Sequence, residues 1–227
     1  MRFSSLSVRA VSIAAVLVTA TATAHANLTI PVNALVADSV QAFSSLAMDA
    51  FDLQAVSVTA LGNATAVAGT DNTFKLPITT ITIGSGLSIA KGDARGSALQ
   101  FARTAKGVTY AVTLANFTID YTHKQVLADV TLKGNATTVK QQAIYNFNTQ
   151  TPLGIKYKFP LTITAHEVLD QLTLTPEMNA TMKSALKLTP ALAAALDSIT
   201  TFGTLTQDIL VAFRSKPVSA TPYVPAP

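Results

Sequence analysis

The chain has 227 residues, no cysteine, a charged fraction of 12% and a formal net charge of +4. Without thiols it has no disulfide staple, no thiol catalysis, no Fe–S cluster and no cysteine-ligated zinc. Its 16 Lys and Arg are scattered, with no run denser than Lys156-x-Lys158, which argues against the phosphate-neutralising stripe of a nucleic-acid binder.

The first 26 residues read as an address. Arg2 and Arg9 flank a basic start, Ala10 to Val18 is almost wholly apolar, and Ala24-His25-Ala26 has the small-x-small pattern that a signal peptidase reads. This predicts a secretory signal peptide cleaved after Ala26, and an exported product that is periplasmic, cell-surface or extracellular. Cleavage removes two basic residues and leaves a nearly neutral chain. Residues 27–216 are predicted to form a single β-rich domain with a helical C-terminal third. Residues 217–227, rich in proline, are predicted to be a disordered tail. No apolar run after residue 26 reaches 18 residues, so no transmembrane helix is predicted.

In chain order, residues 28–32 read as a short strand. Val32, Val36, Val40, Phe43, Ala47 and Phe51 recur at three or four residues, which predicts a helix near 33–51. Strands follow over 54–61, 65–68, 73–83, 87–90, 98–103, 108–121, 125–132 and 137–147, separated by turn signals such as Gly62-Asn63, Gly92-Asp93, Lys106-Gly107 and Gly134-Asn135. The segment Tyr121-Thr-His123-Lys124-Gln reads as a hairpin tip. Thr164-Ala-His166-Glu167 has capping-box spacing and predicts a short helix to about Leu172. Thr175-Pro176 and Thr189-Pro190 open helices over about 176–187 and 190–199. A strand returns at 205–213. The fold class is mainly β: a sandwich or barrel-like antiparallel sheet with a few short helices, one near 33–51 and others within 164–200.

The residues available for chemistry are few. There is no G-x-S-x-G, H-E-x-x-H, P-loop or dinucleotide fingerprint. A carboxylate pair would have to come from Asp93, Asp120, Asp129, Asp170, Glu167 and Glu177, a set with no specific spacing. His166 and Asp170 would share a helical face, with Glu167 as the capping acid. Tyr121, at a strand end, reads as edge packing or as a cofactor ligand. Tyr121, His123 and His166 are the candidate cofactor-binding residues; no catalytic or metal-ligating residue is predicted. Met178, Met182, Leu186, Leu192 and Leu196 read as core, or as the lining of an apolar cavity. Five N-x-T sequons, at Asn27, Asn63, Asn116, Asn135 and Asn179, are read as chance matches in an Asn- and Thr-rich chain.

Val56 to Thr65, Phe74-Lys-Leu-Pro-Ile78, Gly84-Ser-Gly-Leu-Ser-Ile89, Val112 to Asp120 and Leu127-Ala-Asp-Val-Thr131 follow in an order that resembles exported β-rich domains of the haem-transport-associated (HtaA-like) type. The resemblance covers residues 54–132 and implies haem binding at the cell surface. The sequence therefore predicts a non-enzymatic binding or structural protein of the bacterial cell envelope. Its partner would be an apolar small molecule, an envelope component or a protein. Two alternatives are a haem or porphyrin-binding protein of an uptake system and a hydrolase of envelope polymers.

Overall fold

The computed structural model describes residues 28–30, 33, 36–84, 89–135, 137–158, 162–210 and 212–226. The predicted signal peptide lies outside them. Among the described residues, twelve strands form one antiparallel sheet. They are β1 (Leu28–Ile30), β2 (Val36–Ala42), β3 (Val56–Gly62), β4 (Thr65–Ala66), β5 (Thr73–Pro77), β6 (Thr80–Ile83), β7 (Ile89–Ala105), β8 (Val108–Asp120), β9 (Gln125–Leu132), β10 (Thr138–Lys158), β11 (Thr162–Leu174) and β12 (Thr204–Leu210). Three helices accompany them: α1 (Ser45–Gln54), α2 (Pro176–Ala185) and α3 (Pro190–Asp197).

The strand order is β1-β6-β7-β8-β9-β10-β11-β12-β2-β5-β4, with β3 on the C-terminal half of β7. Only Ile78 and Thr79 separate β5 from β6, so the strands next to the two ends of this path are joined in one bent segment. Ile78 N–H donates to the Ala37 carbonyl on β2 (2.9 Å), and Thr79 N–H to the Asp93 carbonyl on β7 (2.7 Å). The segment 73–83 thus pairs with β2 through its first half and with β7 through its second, which curls the sheet into a barrel. The predicted mainly-β, barrel-like class holds.

Bulges supply the bending. The ladders shift register between Ala94 and Ala98 on β7, between Ala115 and Thr118 on β8, and between Val139 and Gln142 on β10. Gly96, Asn116 and Gln141 sit at these shifts with φ of +78°, +53° and +48°. An extra residue in the left-handed region sharpens the local twist of each strand.

The larger core lies under the helices. Phe43, Phe51 and Phe101 meet edge to face with centroids 5.7–6.0 Å apart, and Phe74 and Phe202 extend the cluster. Met178, Met182, Leu186 and Leu196 are fully buried in the same core. Arg103 on β7 ties the helix ends down: its guanidinium donates to the carbonyls of Gln54, Leu186 and Lys187, which the helices themselves leave unpaired. A smaller core of Ala37, Ile78, Ile81 and Ile209, with Ile83, Ile89 and Leu153 against it, fills the other end.

Two predicted helices are corrected. The segment expected as a helix near 33–51 contains β2 and only then α1. Positions four apart share a face in a strand as well as in a helix, so Val36 and Val40 fit both periods. The buried positions are Ala37, Ser39 and Gln41, and pairing with β12 and β5 on either side settles the strand. Ser44 starts α1, its Oγ accepting from Ala47 N–H (3.1 Å). The capping-box helix at 164–172 is instead part of β11, which pairs with β10 and β12; a local cap is overridden by two strand ladders. The helices opened by Thr175-Pro176 and Thr189-Pro190 form as expected, with Thr175 Oγ1 accepting from Met178 N–H (3.2 Å).

Candidate binding site

The predicted candidates Tyr121, His123 and His166 fall in three different settings. Tyr121 follows β8 in the turn to β9. Its hydroxyl donates to Glu167 Oε2 on β11 (2.5 Å), and its ring meets Phe147 edge-on. Burial, then the Glu167 charge and hydrogen bond, push the phenol far above its usual range. Tyr121 is therefore engaged with Glu167.

Glu167 is not a helix cap. It is a buried strand residue beside Gln207 on β12, which in turn is beside Ser39 on β2. Burial raises its carboxyl, and the Tyr121 hydrogen bond opposes part of that rise. A carboxyl raised on folding stabilises the fold most below its unfolded pKa, and that contribution is lost as pH rises through the raised value. Glu167→Gln keeps an acceptor for Tyr121 and cannot ionise. We expect it to gain urea stability over the wild type at pH 8 but not at pH 4; the same difference at both pH values would disprove the assignment.

His123 and His166 share one arrangement at separate places. His123 Nδ1 lies 2.7 Å from Asp120 Oδ2 in the exposed β8–β9 turn, whose N–H groups from Thr122 and His123 also bond Asp120. His166 Nδ1 lies 2.7 Å from Asp208 Oδ1, its cross-strand partner on β12. The expected helical pair of His166 with Asp170 does not form, because β11 is extended and positions four apart along it stand about 13 Å from one another. The acids do not converge either: Asp93 bonds Thr118 and Lys91, Asp120 bonds its own turn, Asp129 bonds Asn116, Lys140 and Gln141, and Glu167 bonds Tyr121. Among the described residues no three His, Asp or Glu side chains gather as a metal site.

The barrel interior holds a narrow cavity, polar at Ser39 and Gln41 and apolar at Leu76, Phe101, Leu114 and Phe117. It has room for about one water molecule. Gln41 Nε2 finds no partner among the described residues, although Gln207 Nε2 reaches Ser39 Oγ (2.8 Å). Met178, Met182, Leu186 and Leu196 do not line this cavity; they pack the core.

The outer wall carries a more developed polar arrangement, which sequence reasoning missed. Asn116, at the β8 bulge, is buried. Its Oδ1 accepts from Gly96 N–H (3.0 Å) and Tyr223 N–H (2.7 Å), and its Nδ2 donates to Tyr223 O (3.0 Å) and Asp129 Oδ2 (2.9 Å). Asp129 in turn accepts from Lys140 Nζ (2.9 Å) and Gln141 N–H (3.0 Å). Burial pushes the Asp129 carboxyl up, but these donors more than offset it and hold the carboxyl below its usual value. Asn63 Nδ2 donates to Ser219 O (2.8 Å), and Asn33 Oδ1 accepts from Val218 N–H (2.9 Å). The tail predicted to be disordered therefore differs from expectation over residues 218–223: asparagine side chains bind its main chain across the bulges. In the sequence Asn63 stands at a turn and Asn116 within a strand, each inside an N-x-T triplet that says nothing of this role.

The fold is a curled, antiparallel, barrel-like sheet, and asparagine side chains on its outer face bind the main chain of residues 218–223. No family model matches the chain, and no curated protein matches it. Among solved structures, the chain is similar to the C-terminal domain of HtaA from Corynebacterium glutamicum, at 12% identity and a TM-score of 0.49, over 78% of this chain and 98% of that one. That is the domain type that residues 54–132 resemble.

Proposed function

We propose that this is an exported, non-enzymatic binding protein of the cell envelope that engages a macromolecular partner, an envelope component or a protein, on the outside of its barrel. One observation carries the reading: the interior has room for about one water, whereas sites that enclose a small organic ligand run to roughly 300–1,000 Å³. Neither a lipid chain nor a porphyrin fits that space. The signal-like first 26 residues support export, and no helix among the described residues is long and apolar enough to cross a membrane. The separate partners of Asp93, Asp120, Asp129 and Glu167 support a binding role over hydrolysis. The test is titration of the full chain with N-phenylnaphthylamine, a fluorescent apolar probe. No saturable enhancement is expected; one-to-one saturation would move the ligand into the barrel.

A second reading, haem binding at the surface, has its own observation. His123 and His166 each place Nδ1 against a carboxylate. That contact orients an imidazole with Nε2 outward, so His123 or His166 would hold the iron that a bound haem would supply. Haemin titration separates the readings. The outer-wall reading predicts no stoichiometric Soret shift. A shift lost in His123→Ala or in His166→Ala would establish surface haem and name its ligand.

A further inference from the structure

We propose that the outer-wall groove is a binding site for extended, uncharged, proline-containing peptide, and that residues 217–226 of this chain are its resident plug. The inference rests on the outer-wall reading above and adds to it the ligand's chemistry and its control.

The groove reads main chain. Asn116 takes both the N–H and the carbonyl of Tyr223, and Asn33 takes the N–H of Val218 and faces its carbonyl at 3.5 Å. Between them Asn63 bonds the Ser219 carbonyl. A side-chain amide that pairs with both polar groups of one residue acts as a strand partner would, whatever side chain that residue bears. Only proline at position 218 or 223 removes the N–H that the groove accepts.

The floor is shaped for a chain lying close. A Cβ at Gly62 would stand 2.9 Å from the Tyr223 ring, and one at Gly96 would stand 2.9 Å from the Thr221 carbonyl oxygen. Asn116 is held in place from below by Asp129, whose charge is met by Lys140. The groove therefore offers oriented amides and a neutralised support, which suits an uncharged ligand. Pro217 to Pro227 contains no ionisable side chain except Tyr223. Pro217, Ser219, Thr221, Pro222 and Val224 of the plug are exposed, while Val218 and Tyr223, whose N–H groups are bound, are half-buried. A segment held mainly through its backbone is exchangeable for another of the same kind.

The test uses the full chain and a fluorescein-labelled peptide with the sequence of residues 217–227. The double variant V218P/Y223P removes both tail N–H donors and leaves the groove unchanged. It is expected to bind the peptide one to one by fluorescence anisotropy. The wild type should bind at least about tenfold more weakly, because a tethered occupant competes at an effective concentration in the millimolar range. Adding Asn116→Ala to the double variant should abolish binding. Equal binding by wild type and double variant would overturn the plug and leave the outer-wall reading standing. No binding by either, with cooperative melting retained, would overturn the peptide site and count against that reading too. Binding that survives Asn116→Ala would place the site elsewhere and overturn the proposal. If V218P/Y223P does not melt cooperatively, Y223P alone, which keeps the Asn33 and Asn63 contacts, serves in the same titration with the same outcomes.

Discussion

Asn116→Ala is expected to cost about 3–4 kcal/mol of folding stability. The substitution leaves the Gly96 N–H without its acceptor and removes one donor from the buried Asp129 carboxylate. It also frees both main-chain bonds to Tyr223 and puts alanine at a φ of +53°, which asparagine tolerates better. An orphaned buried N–H alone is worth about 1–3 kcal/mol, so the polar terms dominate the backbone term. Urea unfolding followed by circular dichroism reads the loss as a lower midpoint at unchanged slope. A loss below about 1 kcal/mol would mean that Asn116 is solvated and the tail is not docked.

Gly203→Ala is expected to be at least as severe, costing more than about 3 kcal/mol or abolishing soluble protein. Gly203 has φ +112°, a region essentially closed to residues with a side chain. A Cβ there would overlap the Ala42 carbonyl oxygen and stand 2.8 Å from the Ser44 nitrogen. Both are backbone atoms at the junction where β2 passes into α1 and β12 begins, so neither can swing aside. Gly69→Ala is the control. Gly69 has φ +76° but nothing within 4 Å of its Cβ position, so it should cost only about 1 kcal/mol. Similar losses at the two sites would show that conformation, and not the contact with β2, sets the effect.

Much of the fold was legible because its signals are local. The strand predicted over 125–132 matches β9 residue for residue, and the Thr-Pro pairs mark the starts of α2 and α3. The errors fall where tertiary pairing outweighs local pattern. The apolar spacing of 36–51 fits a helix or a strand, and the choice depends on β12, whose residues lie far along the chain. The Thr164 to Glu167 spacing imitates a cap, but Glu167 is drawn inside by Tyr121, a contact between residues 46 positions apart. Asp129 lies on the outer face of β9, yet it is buried there by Asn116, Lys140 and Gln141. The candidate histidines were visible as residue types, while their carboxylate partners were not, since Asp208 reaches His166 only through strand pairing. The groove was the least legible part of all. It exists only once three bulges align across neighbouring strands and the last residues of the chain return over them.

The seam between β2 and β12 has a consequence for the order of events in folding. Ser39 and Gln207 face one another there, yet they are 168 positions apart. Closing so long a loop is entropically costly before its contacts form, and topologies dominated by such pairings fold slowly. β2 also needs β12 on one side and the bent segment 73–83 on the other. The ring therefore cannot shut until residues 204–210 are available to β2. A strand array that closes last stays open to threading for longer than one built from neighbours in sequence.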